Sequence, residues 1–324
     1  MKAAWYEKQG PAREVLHVGE MPDPRPGAGE VRIRVAASGI NPGDIKKRGD
    51  AFGYGMPFPR IIPHSDGTGR VDQVGDGVSS EWIGRRVWCY GAQSYRPFGT
   101  AAEFTVVPLD HVALLPESVS LEEGACLGIP GITAHRAVHV GGEVAGRTVL
   151  VQGAGGAVGM CAAALARHAG ARVIGTVRSS AEEPAARTAG AHEIVLNDHA
   201  LVERMKALAP DGVDHIVEVA FGANIDADVE MLKMGGSIGA YATDNATPMI
   251  PFWLMVFKNI RLFLLGSDDF PTEAKVAATR DLNDALQAGW AGFEIGERIP
   301  LAEIARAHEL VEHPVRRGRV VVTV

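Results

Sequence analysis

The sequence predicts an α/β protein of two domains, one of them built on a doubly wound parallel sheet. Three observations carry this. A β-branched run, Thr148-Val149-Leu150-Val151, meets the glycine cluster Gly153-Ala154-Gly155-Gly156-Ala157-Val158-Gly159, and a small-residue helical stretch from Met160 to Gly170 follows. From Thr148 onward, strand-like runs alternate with helical ones. Residues 1 to about 115 instead hold short β-like runs punctuated by Gly and Pro. Alternating strands and helices are the pattern of βαβ units on a parallel sheet, whereas short runs with turn residues between them make compact β domains.

In the first part, strands are expected at 30–35, 69–74, 86–90 and 103–107. Alternation in the first of these puts Val31, Ile33 and Val35 on one face. Helical texture begins at Leu121 and resumes from Thr133 to Val140. In the second part, strands are expected at 148–152, 172–177, 193–196, 214–219, 236–241 and 260–265, with helices such as Leu201 to Leu208 and Ala227 to Met234 between them. A helix near Thr272 to Ala288, another near Leu301 to Val311, and a last strand from Arg319 to Val324 close the chain.

The glycine cluster reads as a phosphate-binding turn. One glycine permits the tight exit from the strand, one removes a Cβ that would hold the backbone away from a pyrophosphate, and one lets helix and sheet pack closely. The helix start then offers free N–H groups and a positive dipole end. The spacing that fits is Gly153-x-x-Gly156-x-x-Gly159, since Val158 stands where G-x-G-x-x-G would put its last glycine.

Composition removes several classes of function. The net charge is −7 with Lys and Arg scattered, which leaves no footprint for nucleic acid or an anionic membrane. The three cysteines, Cys89, Cys126 and Cys161, lie far apart, so neither a disulfide framework nor a thiolate metal site is expected, and a cytoplasmic location fits. The first residues lack a signal-peptide apolar core, and Trp253 to Leu265, the longest apolar stretch, is broken by Lys258, Asn259 and Arg261.

A series of short motifs runs through nearly the whole chain in order: Ser38-Gly39-Ile40-Asn41-Pro42-Gly43-Asp44, Pro63-His64-Ser65-Asp66-Gly67-Thr68-Gly69, Gly84-Arg85-Arg86-Val87, Gly99-Thr100-Ala101-Ala102-Glu103-Phe104, Gly128-Ile129-Pro130-Gly131-Ile132-Thr133-Ala134, the glycine turn, and Ala305-Arg306-Ala307-His308-Glu309. In these the chain resembles the zinc-free quinone oxidoreductases, the zeta-crystallin-like branch of the medium-chain dehydrogenase/reductases. The resemblance implies a GroES-like β-rich catalytic domain over residues 1–120, an inserted Rossmann NADP-binding domain over 121–269, and a return to the catalytic domain over 270–324. It further implies NADPH in the cleft between them, and a homodimer.

Site residues follow from the motifs and the resemblance together. Asn41, in what reads as an exposed turn before Pro42, falls where the family places a residue beside the nicotinamide ribose or the reacting carbonyl; local sequence equally allows a turn asparagine. Asp44 matches an acidic residue of the same loop, or caps the helix beginning at Ile45. Many relatives carry Tyr where Lys46 stands, which leaves Tyr54 as the nearby phenol, able to contact a carbonyl or simply to pack on Pro57 or Pro59. Thr133 and the backbone of Leu265, Gly266 and Ser267 fall where relatives hold the nicotinamide end. Arg319 falls where a basic residue often reaches the cofactor phosphates. Ala220 and Tyr241, at the ends of the strands 214–219 and 236–241, complete the cofactor set with Gly153, Gly155, Gly156, Ala157, Val158 and Gly159.

No metal is expected. The zinc-dependent relatives supply a Cys, a His-Glu pair and a further Cys or His; here the first position looks like Asn41, and His64 stands one residue ahead of where the family's His would fall, at Ser65. Zinc needs three convergent protein ligands, and His64 reads as a turn histidine. Without a metal, alcohol oxidation loses its Lewis acid, whereas a quinone or an α,β-unsaturated carbonyl accepts hydride if it is positioned well. Zinc-dependent alcohol dehydrogenase, and a crystallin-like or RNA-binding protein, stand as alternatives.

The second strand of the alternating half ends Val177-Arg178-Ser179-Ser180, with no carboxylate in the turn. An NAD site usually places Asp or Glu there; Arg178, Ser179 and Ser180 suit a 2′-phosphate instead. Glu182, where many relatives have Lys, sits awkwardly for that reading. Finally, Asn259 to Gly266 reads as the last strand of the sheet, an apolar edge that a second copy of the chain would cover.

Overall fold

The computed structural model describes residues 1–314 and 318–324. The chain forms two compact units, Met1–Ile129 with Gly292–Val324, and Pro130–Ala291. The division differs from the expected one at its end, because the helix Thr272–Gln287 belongs to the second unit. Its Ala278, Leu282 and Ala285 are buried at that helix's spacing.

The first unit holds a seven-stranded sheet ordered Ile295–Pro300, Arg319–Thr323, Glu30–Gly39, Asp66–Val74, Arg86–Cys89, Val112–Leu114, with Phe104–Pro108 also paired to Glu30–Gly39. The strand Glu30–Gly39 is the hub, and alternation along it buries Val31 and Ile33 as the pattern predicts. Arg32 is buried too, contrary to a simple two-faced strand. Its guanidinium pairs with Asp72 at 2.8 Å and lies 4.5 Å from the centre of the Phe104 ring, so its charge is matched on both sides. Two strands, Lys2–Trp5 paired with His17–Glu20, were not legible from the pattern.

The second unit holds a six-stranded parallel sheet ordered Glu193–Leu196, Arg172–Val177, Thr148–Val151, Val213–Glu218, Leu232–Ala240, Arg261–Leu264. The chain leaves Thr148–Val151 in one direction and returns to its other side at Val213–Glu218, so the glycine turn lies at the topological switch point. One helix differs from expectation: it spans Phe221–Met231 rather than Ala227 to Met234. Phe221, Ile225 and Val229 make its buried stripe, and Leu232 is already extended and buried in the next strand.

A buried polar chain ties the first unit together. Arg48 Nε donates to His308 Nδ1 at 3.3 Å, the Nε2 atoms of His308 and His64 lie 3.0 Å apart, and His64 Nδ1 lies 2.8 Å from Ser38 Oγ. Ser38 Oγ is 2.7 Å from Thr100 Oγ1, which donates to the Asp66 carbonyl at 2.6 Å. Only one direction satisfies every link: His308 donates to His64, His64 to Ser38, and Ser38 to Thr100. Arg48 is further paired with Glu312 and the Gly10 carbonyl. Each imidazole must therefore be neutral, since a second ring proton would face a donor. Burial acts in the same sense, pushing His64 down to about 3 and His308 well below its ordinary value. In the sequence His64 is a turn residue with a positive φ of 75°; its buried hydrogen-bonding role appears only in the fold.

The sign of the pH effect follows. An unfolded histidine takes up a proton near pH 6.5, which the folded pair refuses, so this stabilisation is complete above that pH and lost as pH falls, at about 1.4 kcal/mol per pH unit per histidine. We expect chemical-denaturation midpoints to fall below pH 6.5. In His308→Gln, which keeps one acceptor and one donor, they should fall less steeply, and parallel curves for the two proteins would contradict the assignment.

Candidate functional site

In the first unit, the strand Glu30–Gly39 runs into the helix Pro42–Arg48, with Pro42 at the first helical position, where its missing N–H costs nothing. Asn41 is the N-cap, and it is buried rather than exposed. Its backbone N–H donates to Asp44 Oδ2 at 2.8 Å, and the Asp44 N–H returns to the Asn41 carbonyl at 3.0 Å. Asp44 thus sits inside the first turn instead of capping a helix from Ile45.

The Asn41 side chain is held at both ends. Its Nδ2 donates to Asp66 Oδ2 at 2.6 Å and its Oδ1 accepts from Arg319 Nη2 at 2.7 Å. The same Nη2 bonds the Ile40 carbonyl at 3.0 Å, while Arg319 Nε is buried without a hydrogen-bond partner among the described residues. Arg319 therefore grips the Asn41 loop, a role that the sequence did not suggest. Asp66 Oδ1 accepts from the Ile129 N–H at 2.8 Å, at the start of the helix Gly128–His139. Burial is the largest influence on Asp66 and pushes its carboxyl up to about 7, against the pull of Asn41, Ile129 and Arg319. Sequence reasoning passed over Asp66 as a site residue; its signal was the Pro63-to-Gly69 motif itself.

Tyr54 is 59% exposed and stacks on Phe52, ring centres 5.8 Å apart. It makes no hydrogen bond with another described residue, and Lys46 lies over the same Phe52 ring at 5.9 Å.

In the second unit, Gly153 adopts a left-handed φ of 67° as the chain leaves Thr148–Val151. A Cβ on Gly159 would lie 2.2 Å from the Gly153 carbonyl oxygen, so the helix Ala157–His168 abuts the turn. Gly156 is its exposed N-cap, and a Cβ there would meet only the Gly153 carbonyl, at 3.3 Å. The open side of the turn, with the unpaired amides of Ala157, Val158 and Gly159 at the helix start, fits the anionic part of a dinucleotide.

Buried polar groups pin this turn. The Gly153 N–H donates to Thr176 Oγ1 at 3.0 Å, Thr176 donates to Gln152 Oε1 at 2.6 Å, and Gln152 Nε2 donates to Asp228 Oδ1 at 2.8 Å. Burial raises both Asp228 and its neighbour Glu218, and the charge of Glu218 raises Asp228 further. Glu218 in turn accepts from the Ala220 N–H and from Asn224. The Tyr241 N–H donates to the Glu218 carbonyl at 3.1 Å, and burial raises the Tyr241 phenol. The Leu265 N–H pairs with the Ala240 carbonyl at 2.9 Å, and Gly266 and Ser267 follow the edge strand. Thr133 is buried within the helix Gly128–His139.

At the end of the second strand, Arg178, Ser179 and Ser180 are all exposed. Glu182 turns toward Arg178: its Oε2 accepts the Arg178 N–H at 2.9 Å, and its Oε1 lies 3.2 Å from the guanidinium. A Cβ on Gly155 would come within 2.9 Å of Glu182 Cβ, so this carboxylate borders the glycine turn. Arg178 is thus partly neutralised by the residue that sequence reading found awkward.

Around Asn41, the polar atoms of Asn41, His64 and Asp66 are spent on one another and on neighbouring protein groups, and do not converge on a common point. Among the described residues, three metal-ligating side chains come within 4.8 Å of one another only at His135, His139 and Asp281. No described helix is long and apolar enough to cross a membrane.

Comparison with known proteins agrees with this architecture. Residues 27–117 match the family described as alcohol dehydrogenase GroES-like domain, and residues 157–279 that described as zinc-binding dehydrogenase. Quinone oxidoreductase of Rattus norvegicus is 33% identical over 318 residues, covering 95% of this chain and 92% of its own. A mycobacterial protein solved in complex with NADPH superposes with a TM-score of 0.85 at 26% identity over the whole of both chains. An alcohol dehydrogenase superfamily protein from Novosphingobium aromaticivorans has a TM-score of 0.87 at 24% identity, covering 100% of this chain and 99% of that one. Domain architecture, glycine turn and full-length similarity together place the chain in the quinone oxidoreductase family of the medium-chain dehydrogenases and reductases.

Proposed function

We propose that the chain reduces quinones, and related α,β-unsaturated carbonyls, with hydride from NADPH. The observation that carries this is the open face of the glycine turn at Gly156, with Arg178 as the nearby cation. The mycobacterial relative solved with NADPH and the quinone oxidoreductases of similar sequence support the same reading. Bound NADPH supplies the hydride. The amides of Ala157, Val158 and Gly159 receive its pyrophosphate, and Arg178 with Ser179 and Ser180 receives the 2′-phosphate. Backbone groups of Leu265 to Ser267 suit the nicotinamide amide, because they orient it without titrating.

In the first unit, Asn41 is a positioning residue. Arg319 and Asp66 occupy its two ends, which fixes the loop against an acceptor without offering a free acid. The donor set there does not build a three-ligand zinc site, so the acceptor must be electrophilic in its own right, as quinones and enones are. The three cysteines are all buried and none forms a disulfide among the described residues, which suits a reducing compartment such as the cytoplasm.

We further propose a homodimer through the second unit. Arg261–Leu264 is the edge strand of its sheet. Beside it the helix Phe252–Phe257 and its approach expose Met249 (90%), Trp253 (67%) and Phe257 (69%), and Leu264 is 73% exposed. An apolar cluster next to an unpaired edge is the kind of surface that a two-fold contact buries.

Purified protein should oxidise NADPH in the presence of quinones and retain that activity after dialysis against a chelator. A panel of quinones, enones and enoyl thioesters measures it, and silence across the panel would end the proposal. Gly156→Ala should weaken NADPH binding with little change in thermal midpoint, whereas Gly159→Ala should lower the midpoint, because its Cβ has no room.

NADPH should bind more tightly than NADH. Arg178→Ala should narrow that gap by weakening NADPH, and Glu182→Gln should widen it by up to about fivefold, the scale of one exposed charge interaction. Equal dissociation constants in the unaltered protein would remove the role given to Arg178.

Light scattering should give a dimer at micromolar concentration. Phe263→Asp or Trp253→Glu should shift it toward monomer, and a well-folded monomer in the unaltered protein would refute the assembly.

A further inference from the structure

We propose that His135, His139 and Asp281 form a binding site for a divalent transition-metal ion of the zinc class. None of the three belongs to the glycine turn or to the Asn41 loop. His135 and His139 are four residues apart on the helix Gly128–His139, which puts both imidazoles on one face. Asp281 arrives on the helix Thr272–Gln287. The two helices pack closely where a Cβ on Gly131 would lie 2.4 Å from Leu282 Cδ1, one residue from Asp281.

The ligand atoms already converge. His135 Nε2 is 3.0 Å from Asp281 Oδ2, and one ligand atom from each of the three side chains falls within a 4.8 Å group. Tetrahedral zinc with bonds of about 2.0 Å separates its ligands by roughly 3.3 Å, so a small swing of His139 closes the set. His139 can make it: it ends its helix, is half-buried, and its ring lies tilted by 50° against that of His135 with ring centres 4.6 Å apart. Its ring makes no hydrogen bond with another described residue. Arg280 Nε holds Asp281 Oδ1 at 3.0 Å, which leaves Oδ2 turned toward the imidazoles, as outer partners of metal ligands do.

A plain His135–Asp281 hydrogen bond explains two of these residues and leaves His139 without a purpose. Two imidazoles and one carboxylate select zinc and its neighbours over magnesium or calcium, with solvent completing the fourth position. The ion would clamp the two helices together and stabilise the fold by mass action.

The test uses full-length protein stripped with a chelator and then titrated with zinc against a chromogenic chelator at neutral pH. We expect one ion per chain with a micromolar dissociation constant, a higher thermal midpoint with zinc, and visible absorption typical of tetrahedral coordination when cobalt replaces it. His139→Ala and Asp281→Asn should each weaken binding by about tenfold or more and remove the thermal shift. His139→Gln serves if the alanine variant folds poorly. Absence of stoichiometric binding, or equal affinity in the variants, would overturn the proposal and mark any bound zinc as adventitious. These readouts do not depend on turnover, so they stand apart from the test of the reductase.

Discussion

The first unit depends on one buried carboxylate. Asp66 takes the Asn41 amide on one oxygen and the Ile129 N–H on the other, so it joins a strand, a helix cap and the start of a second helix. A Cβ on Gly128 would lie 2.1 Å from Asp66 Oδ1, which leaves only glycine at that position. Removing the carboxylate would orphan two buried donors, at about 1–3 kcal/mol each. Arg319 extends the arrangement to the last strand through Asn41 and the Ile40 carbonyl. The loop is therefore held because its polar groups are mutually satisfied, which is the property that its proposed positioning role requires.

The second unit solves the corresponding problem around glycine. A phosphate-binding turn must expose its own amides, so its shape has to be fixed from behind. Thr176, Gln152 and Asp228 do this in a buried series, with Glu218 as the neighbouring acid. Burial disfavours the charged form of both carboxyls and pushes each of them up. The backbone is thus left free on the cofactor side and committed on the other.

Charge near the turn is graded rather than maximal. The Arg178 guanidinium faces solvent, and Glu182 holds both its backbone N–H and its side chain. This orders the start of the loop and at the same time lowers the local positive potential. The proposed preference for the phosphorylated cofactor would be moderated by this arrangement, since the same carboxylate that organises the arginine also repels a dianion.

Much of the architecture was legible in the sequence because it is written in local periodicity. The strands 172–177 and 193–196 and the helix Leu201–Leu208 fall where their apolar patterns put them, and the glycine spacing marked the turn. The short motifs that carried the family resemblance were likewise contiguous in the chain. The partners of those residues were not contiguous, and only the tertiary structure decided them. Asn41 looked like an exposed turn residue, yet it is buried by Asp66 and by Arg319, 278 positions further along. His64 looked like a turn histidine, and its neutral ring is set by His308, 244 positions away. Arg319 stands alone on a terminal strand in the sequence, and the fold bonds it to the Asn41 loop. Sequence determines which residues can cap, turn or alternate, since those preferences act over a few residues; the destination of each buried hydrogen bond depends on chain segments that meet only when the sheet closes.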